Sequence, residues 1–456
     1  MERDKLFDLT DEGDILYENT EEGAYTITKR NTGVILSEQG MDVLGDALNV
    51  FGAGYGADSE IWGSTTINLN KGYVFQIFGG GEMGAIGKKN EEGKYVYDKK
   101  YSTYINLNGA ASLPGVERGA AGDSPDMAEC EFIYGGAFEG AIAGNVHINL
   151  NNGRIFNSFA GSCNADILGH TETYVGENGF PWIRDHIYGG NDLGGSILGI
   201  DSPNFSDRIR EEVKTMVTEA RPVSSYMEYT QGRVRSILGG CFGNYDYEAD
   251  AYKNRITNKP YLHNAFINIR PNNNANNLIE RVFGAGEGYL GDRDGDKSQD
   301  HSYVLIDIPD GITNFTDMEI FGAGAYNGLG MRYPAKDTFD GTVDPNEATA
   351  VIDLLRGKVS AAYGGSYEEG ITRRTLVNVP EKSTIKINNI FGGAYGMHIL
   401  PPCDVYEANV NYQGGDARVN GAIYGGNNNV RRTLYAKINV SAPYTYLVLP
   451  VRLPKD

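Results

Sequence analysis

Two acidic arrangements in this chain suit different chemistry. In the stretch GDRDGDKSQD, 291–300, the side chains of Asp292, Asp294, Asp296 and Asp300 crowd into one short segment. Hard oxygens at alternating positions are what Ca2+ takes, so the segment is a candidate calcium loop. It departs from an EF-hand, because Gly295 comes too early and Tyr303 stands where a bidentate Glu belongs. A solvated acidic loop is the other reading of the same residues. The second arrangement is a column. Strands of the form T-x-I-N-L recur, and their fourth position is Asn68, Asn106, Asn149, Asn268, Asp307, Asp353, Asn378, Asn411 and Asn439. Stacked one above another, these side chains form an amide ladder along the chain's repeats. Asp307 and Asp353 would then lie about 5 Å apart, a spacing that suits a shared cation or acid–base chemistry, with Arg356 as the neighbouring cation. Nothing close in sequence supplies a matched base.

A third set is aromatic. Boxes such as IFGGG, IYGG and VFGAG place an anchor residue before two or three small ones, at Phe51, Phe78, Tyr134, Phe159, Tyr188, Leu238, Phe283, Phe321, Tyr363, Phe391 and Tyr424. Facing outward, Tyr134, Tyr188, Tyr363 and Tyr424 make a stacking platform for sugar rings; facing inward, they fill a core. The histidines show no HExxH or i,i+4 pairing, and there is no GxSxG elbow, P-loop or dinucleotide fingerprint.

The positioning elements follow from the spacing. Anchors recur every 25 to 56 residues, with short intervals near 25 to 29. Each box is preceded by an alternating strand and a turn such as Asn70-Lys71-Gly72. That pattern predicts an all-β, single-stranded parallel β-helix of about eleven coils, with two strands per coil. The box glycines are expected to form a corner, through positive φ angles and close backbone approach. Residues 1–23 and 441–456 are expected to cap the open edges of a solenoid spanning 24–440. Insertions leave mostly just after the box, on one edge. One of them, at about 205–221, has helical periodicity, with Ile209, Val213, Met216 and Val217 on one face.

Composition sets bounds. The formal charge of -20 argues against sequence-independent nucleic-acid binding, which needs clustered cations. Cys130, Cys163, Cys241 and Cys403 show neither zinc nor disulfide spacing and read as buried small residues. No apolar run is long enough to span a membrane, and no signal peptide is visible at the start.

The alternation of T-x-I-N-L strands with IYGG or IFGGG corners resembles large bacterial cell-surface proteins built from glycine-rich right-handed β-helix repeats. More distantly it is similar to the pectate-lyase-like superfamily. The resemblance implies an extracellular or cell-surface solenoid that binds a polysaccharide or protein on its loop edge. Its alternatives are a polysaccharide lyase or hydrolase, with calcium as the implied cofactor, and a structural segment of a longer fibre.

Overall fold

A computed structural model describes the backbone of four short strands between 15 and 43, and residues 46–110, 123–200, 222–256, 258–289, 299–329, 349–396, 403–429 and 432–441. The expected helix at 205–221, the loop carrying Asp292, Asp294 and Asp296, and the C-terminal cap beyond residue 441 lie outside the described residues. Among those described, the protein is a parallel β solenoid whose only helical element is the 3-10 turn Lys99–Tyr101. It divides into two compact units, Met1–Arg235 with Gly239–Ala265, and Ser236–Leu238 with Phe266–Asp456.

The N-terminal unit opens with an antiparallel meander of Ile15–Asn19, Tyr25–Lys29, Val34–Ser37 and Gly40–Val43. Gly40–Val43 then pairs in parallel with Thr65–Leu69, so the antiparallel region runs well beyond the expected boundary at 23. From there the first sheet proceeds through Thr103–Leu107, Val146–Leu150, Thr171–Val175 and Val223–Tyr229, all parallel. Four of these strands alternate buried and half-buried residues, as T-x-I-N-L requires of a sheet with one face on a core. The box strands Ala47–Phe51, Gly72–Phe78, Ala128–Tyr134, Arg154–Phe159 and Trp182–Tyr188 form a second parallel sheet.

The expectation of two strands per coil needs correcting here. A third ladder joins Ile61, Ile86, Ile142, Ile167 and Ile197, all buried. Each Ile is followed by a glycine one or two places later, and after Ile61, Ile142 and Ile167 the chain bends there directly into the next first-sheet strand. Part of what looked like loop insertion is therefore a third face of the coil. In the C-terminal unit the third face merges with the first. The strands Gln299–Asp307, Thr349–Arg356, Gly370–Val379, Cys403–Tyr412 and Thr433–Val440 are continuous, and they pair in parallel. They oppose the box strands Leu278–Phe283, Glu319–Phe321, Lys358–Tyr363 and Lys386–Phe391. Two strands per coil is correct for this unit.

The box glycines also differ from expectation. Positive φ belongs to the turn glycines between the two sheets, such as Gly72 at 91° and Gly153 at 84°, while no box glycine has it. What the box demands is space. A Cβ on Gly79 would sit 2.1 Å from the carbonyl oxygen of Gly135, and one on Gly322 would sit 2.2 Å from that of Gly364. The corner is pinned from across the coil: Thr65 donates to Gly79 O at 2.6 Å, Thr103 to Gly135 O at 2.7 Å and Thr171 to Gly189 O at 2.8 Å. Ser302 and Thr375 do the same for Gly322 and Gly392. The first Thr of T-x-I-N-L and the first Gly of the box are thus one device, joining opposite sheets of a single coil.

Candidate functional site

The expected catalytic carboxylates are not brought together. Their strands pair with Leu305 opposite Asp353 and, after a bulge, Asp307 opposite Arg356. Aligning the two I-D pairs by sequence misses this register by two residues. Arg356 Nε donates to Asp307 Oδ1 at 2.5 Å, a half-exposed ion pair. Asp353 is a buried rung of the ladder, accepting from Tyr303 Oη at 2.9 Å and from Asn378 Nδ2 at 2.6 Å. Both carboxylates have structural partners of their own. Asp300, the one described residue of the acidic loop set, is buried in the strand Gln299–Asp307. Among the described residues no group of three His, Cys, Asp or Glu side chains is placed to hold a metal ion.

Between its ends the aromatic column is buried. Successive rings stack at 4.6–5.0 Å with interplanar angles of 5–14°, from Phe51 to Tyr188 in one unit and from Phe283 to Tyr424 in the other. Tyr134, Tyr188 and Tyr363 are buried, so of the two readings the sugar-stacking platform is not available to them. Tyr424, at 42% exposure, lies open but stacks on Phe391. The column is covered by a second layer, set four residues after the anchor. Phe138 packs edge-on against Phe78, Phe242 against Tyr188, Tyr367 against Phe321 and Tyr395 against Tyr363.

In the C-terminal unit this second layer is a surface. Tyr367 and Tyr395 are half-buried and stack on each other at 5.2 Å. The guanidinium of Arg281 lies 4.9 Å from the Tyr367 ring centre, and its Nε is 3.4 Å from Glu319. Burial raises the Tyr367 phenol, opposed by Arg281 and aided by Glu368. Stacked rings, a guanidinium and carboxylates therefore share one loop edge.

In the N-terminal unit the same slot holds Cys163 and Asp192. Asp192 is 5% exposed, and it accepts from Tyr134 Oη at 3.0 Å and Tyr245 Oη at 2.7 Å, with Cys163 Sγ at 3.9 Å. Burial raises its carboxyl to about 6, against the opposing effect of those three donors. Burial and the charge of Asp192 push both tyrosines and the thiol upward in turn.

The outer face of the first sheet in this unit carries a constellation that neither motif nor helical spacing reveals. Tyr104, His147 and Glu172 stand in register on adjacent strands. The His147 ring stacks on Tyr104 at 4.6 Å. Glu172 Oε1 lies 3.4 Å from His147 Nδ1 and 3.1 Å from His170 Nε2, and Tyr174 donates to Oε2. Burial alone would raise this carboxyl, but the hydrogen bonds of both imidazoles and Tyr174, with the His147 charge, hold it well below the usual range. His147 Nε2 is buried without a hydrogen-bond partner among the described residues. The available signal was the alternation His170-x-Glu172-x-Tyr174, which puts three polar groups on one side of a strand. No family model, curated protein or solved structure matches this chain.

Proposed function

We propose that this protein is a non-catalytic, surface-exposed solenoid that binds a glycan along the loop edge of its C-terminal unit. The observation that carries the reading is the half-buried Tyr367–Tyr395 pair beside the Arg281–Glu319 ion pair. Ligand sites combine aromatic surface with a few placed polar groups, and sugar rings offer the matching apolar faces and hydroxyls. The bonding of Asp307 and Asp353 within the scaffold supports binding over cleavage. The cell-surface resemblance of the repeat supports an extracellular setting; no helix among the described residues is long and apolar enough to cross a membrane.

The test is a glycan array with and without calcium, using the wild type and Tyr367→Ala/Tyr395→Ala, followed by mass spectrometry of eluted sugar. Intact oligosaccharide retained by the wild type and lost by the double variant is the expected result. Binding that survives the double substitution sinks this site.

A second reading, a polysaccharide lyase or hydrolase, draws on a different observation. A carboxylate at Nδ1 holds a histidine so that its Nε2 carries the lone pair of a base, and Glu172 stands at that position on His147. Shortened or unsaturated sugar, produced by the wild type and abolished by His147→Gln, would replace the binding reading with this one.

A further inference from the structure

We propose that Asp192 is a proton-operated latch, fastening the segment 242–256 to the coils of the N-terminal unit in acid and slackening it toward neutrality. Three chain segments far apart in sequence converge on this carboxylate. Tyr134 comes from a box strand, Cys163 from the turn after the next box, and Tyr245 from the segment itself. Every donor is uncharged. Cys241 lies beside Asp192, Glu139 beside Cys163 and Tyr247 beside Tyr245, while the cation Lys259 sits over the Tyr247 ring and is not among the groups acting on Asp192. A buried carboxylate without a cation is costly when ionised and comfortable when protonated.

Other contacts of the segment with the coils are made by backbone groups and by rings, and Phe242 packs on Tyr188 and Phe159. Phe242 and Gly243 donate backbone N–H groups to Asn191 O and Asp192 O at 2.9 and 3.0 Å. Tyr247 Oη donates to Leu193 O at 2.8 Å. Tyr245, Tyr247 and Tyr252 form a small ring cluster, and Tyr245 is bonded to Asp192. The remainder, through Ile256, is turns without strand pairing. Charging Asp192 therefore acts directly on a contact that ties the aromatic cluster to the coil frame, beside the Tyr247–Leu193 bond.

The direction follows from the two protonation equilibria. The docked carboxyl keeps its proton up to about pH 6, whereas a freed aspartate loses it near about pH 4. Docking is strongest below the lower value, weakens as pH rises between them, and is level above the higher one.

Hydrogen-exchange mass spectrometry on the full chain reads this directly. After correction for intrinsic exchange, protection of 242–256 should fall on the order of twentyfold between about pH 4.5 and 7.5. The strand Val146–Leu150 serves as the internal control and should not change in step. Asp192→Asn, a fixed mimic of the protonated form, should keep the segment protected at every pH. A flat wild-type profile, or an Asp192→Asn profile that slopes like the wild type, overturns the proposal. Should Asp192→Asn fail to fold, Tyr245→Phe decides: it removes a donor that favours the ionised form, so the wild-type slope must move to higher pH. An unmoved slope overturns the latch.

Discussion

Four residues after the box anchor both units place aromatic rings at some coils, but one coil of the N-terminal unit carries a carboxylate in that slot instead. The N-terminal unit places Asp192 there and seals it beneath Tyr134 and Tyr245. The C-terminal unit places Tyr367 and Tyr395 there and leaves them half in solvent. The surrounding backbone is alike in both: glycine corners too crowded for a Cβ, pinned by a hydroxyl from the opposite sheet. The difference teaches that this scaffold determines where a side chain goes and not what it does there. The slot is a position of high consequence because it lies over a continuous aromatic stack.

The strongest test of the contrast is charge burial. Arg154 is fully buried between Asp123 and Glu129, at 3.1 and 3.2 Å. Arg154→Met should cost about 3–5 kcal/mol, because it removes the buried cation shared by two carboxylates, of which Glu129 keeps Arg184 at 3.5 Å. Arg281→Met in the C-terminal unit, where the ion pair is far more exposed, should cost under about 1 kcal/mol. Denaturant melts of the two variants give the comparison, and equal losses would break it. Next come the corners, where the units should behave alike. Gly135→Ala and Gly322→Ala each drive a Cβ against backbone, and both should lose about 3 kcal/mol by the same assay. Tolerance in one unit would show that its corner is built differently.

A third contrast concerns pH. Glu172 is held below its unfolded range, so its contribution to stability is complete above about pH 4.5 and lost as pH falls through the folded value. The N-terminal unit should therefore weaken on acidification over that range more steeply in the wild type than in Glu172→Gln, as followed by exchange in Val146–Leu150. This loss runs opposite in sign to the tightening expected of Asp192. The smallest effect is at the open edge. Tyr395→Ala should cost only about 1 kcal/mol of stability, the value of a ring pair half in solvent, while abolishing glycan retention. A large stability loss there would mean that the edge is core.

Much of the architecture was legible in the sequence, because its signals are periodic. The alternation in TTINLN and the recurrence of the box specify strands, corners and the stacking of one coil on the next. What escaped was set by register and by direction. Asp307 and Asp353 share a motif position, yet their strands pair two residues out of motif register from Ser302 onward, and nothing in the sequence marks that offset. The burial of the box tyrosines was undetermined because period-two alternation stops at a corner. The third strand was hidden by its brevity, although Ile followed closely by Gly repeats at each crossing. His147 and Glu172 lie 25 residues apart and meet only because adjacent coils align them.

The amide ladder has a direction. Asn106 donates to Asn68, Asn149 to Asn106, Asn411 to Asn378 and Asn439 to Asn411. Each Asn passes a hydrogen bond backward and receives one from ahead, so a rung of this kind fits between any two others. An aspartate offers acceptors alone. Asp353 is satisfied because donors reach it from both sides, Tyr303 and Asn378. Tandem duplication of an Asn-bearing coil would thus lengthen the molecule without leaving an unmatched group, whereas copying the Asp353 coil would set two carboxylates face to face. Growth by duplication is open at some coils of this protein and closed at that one.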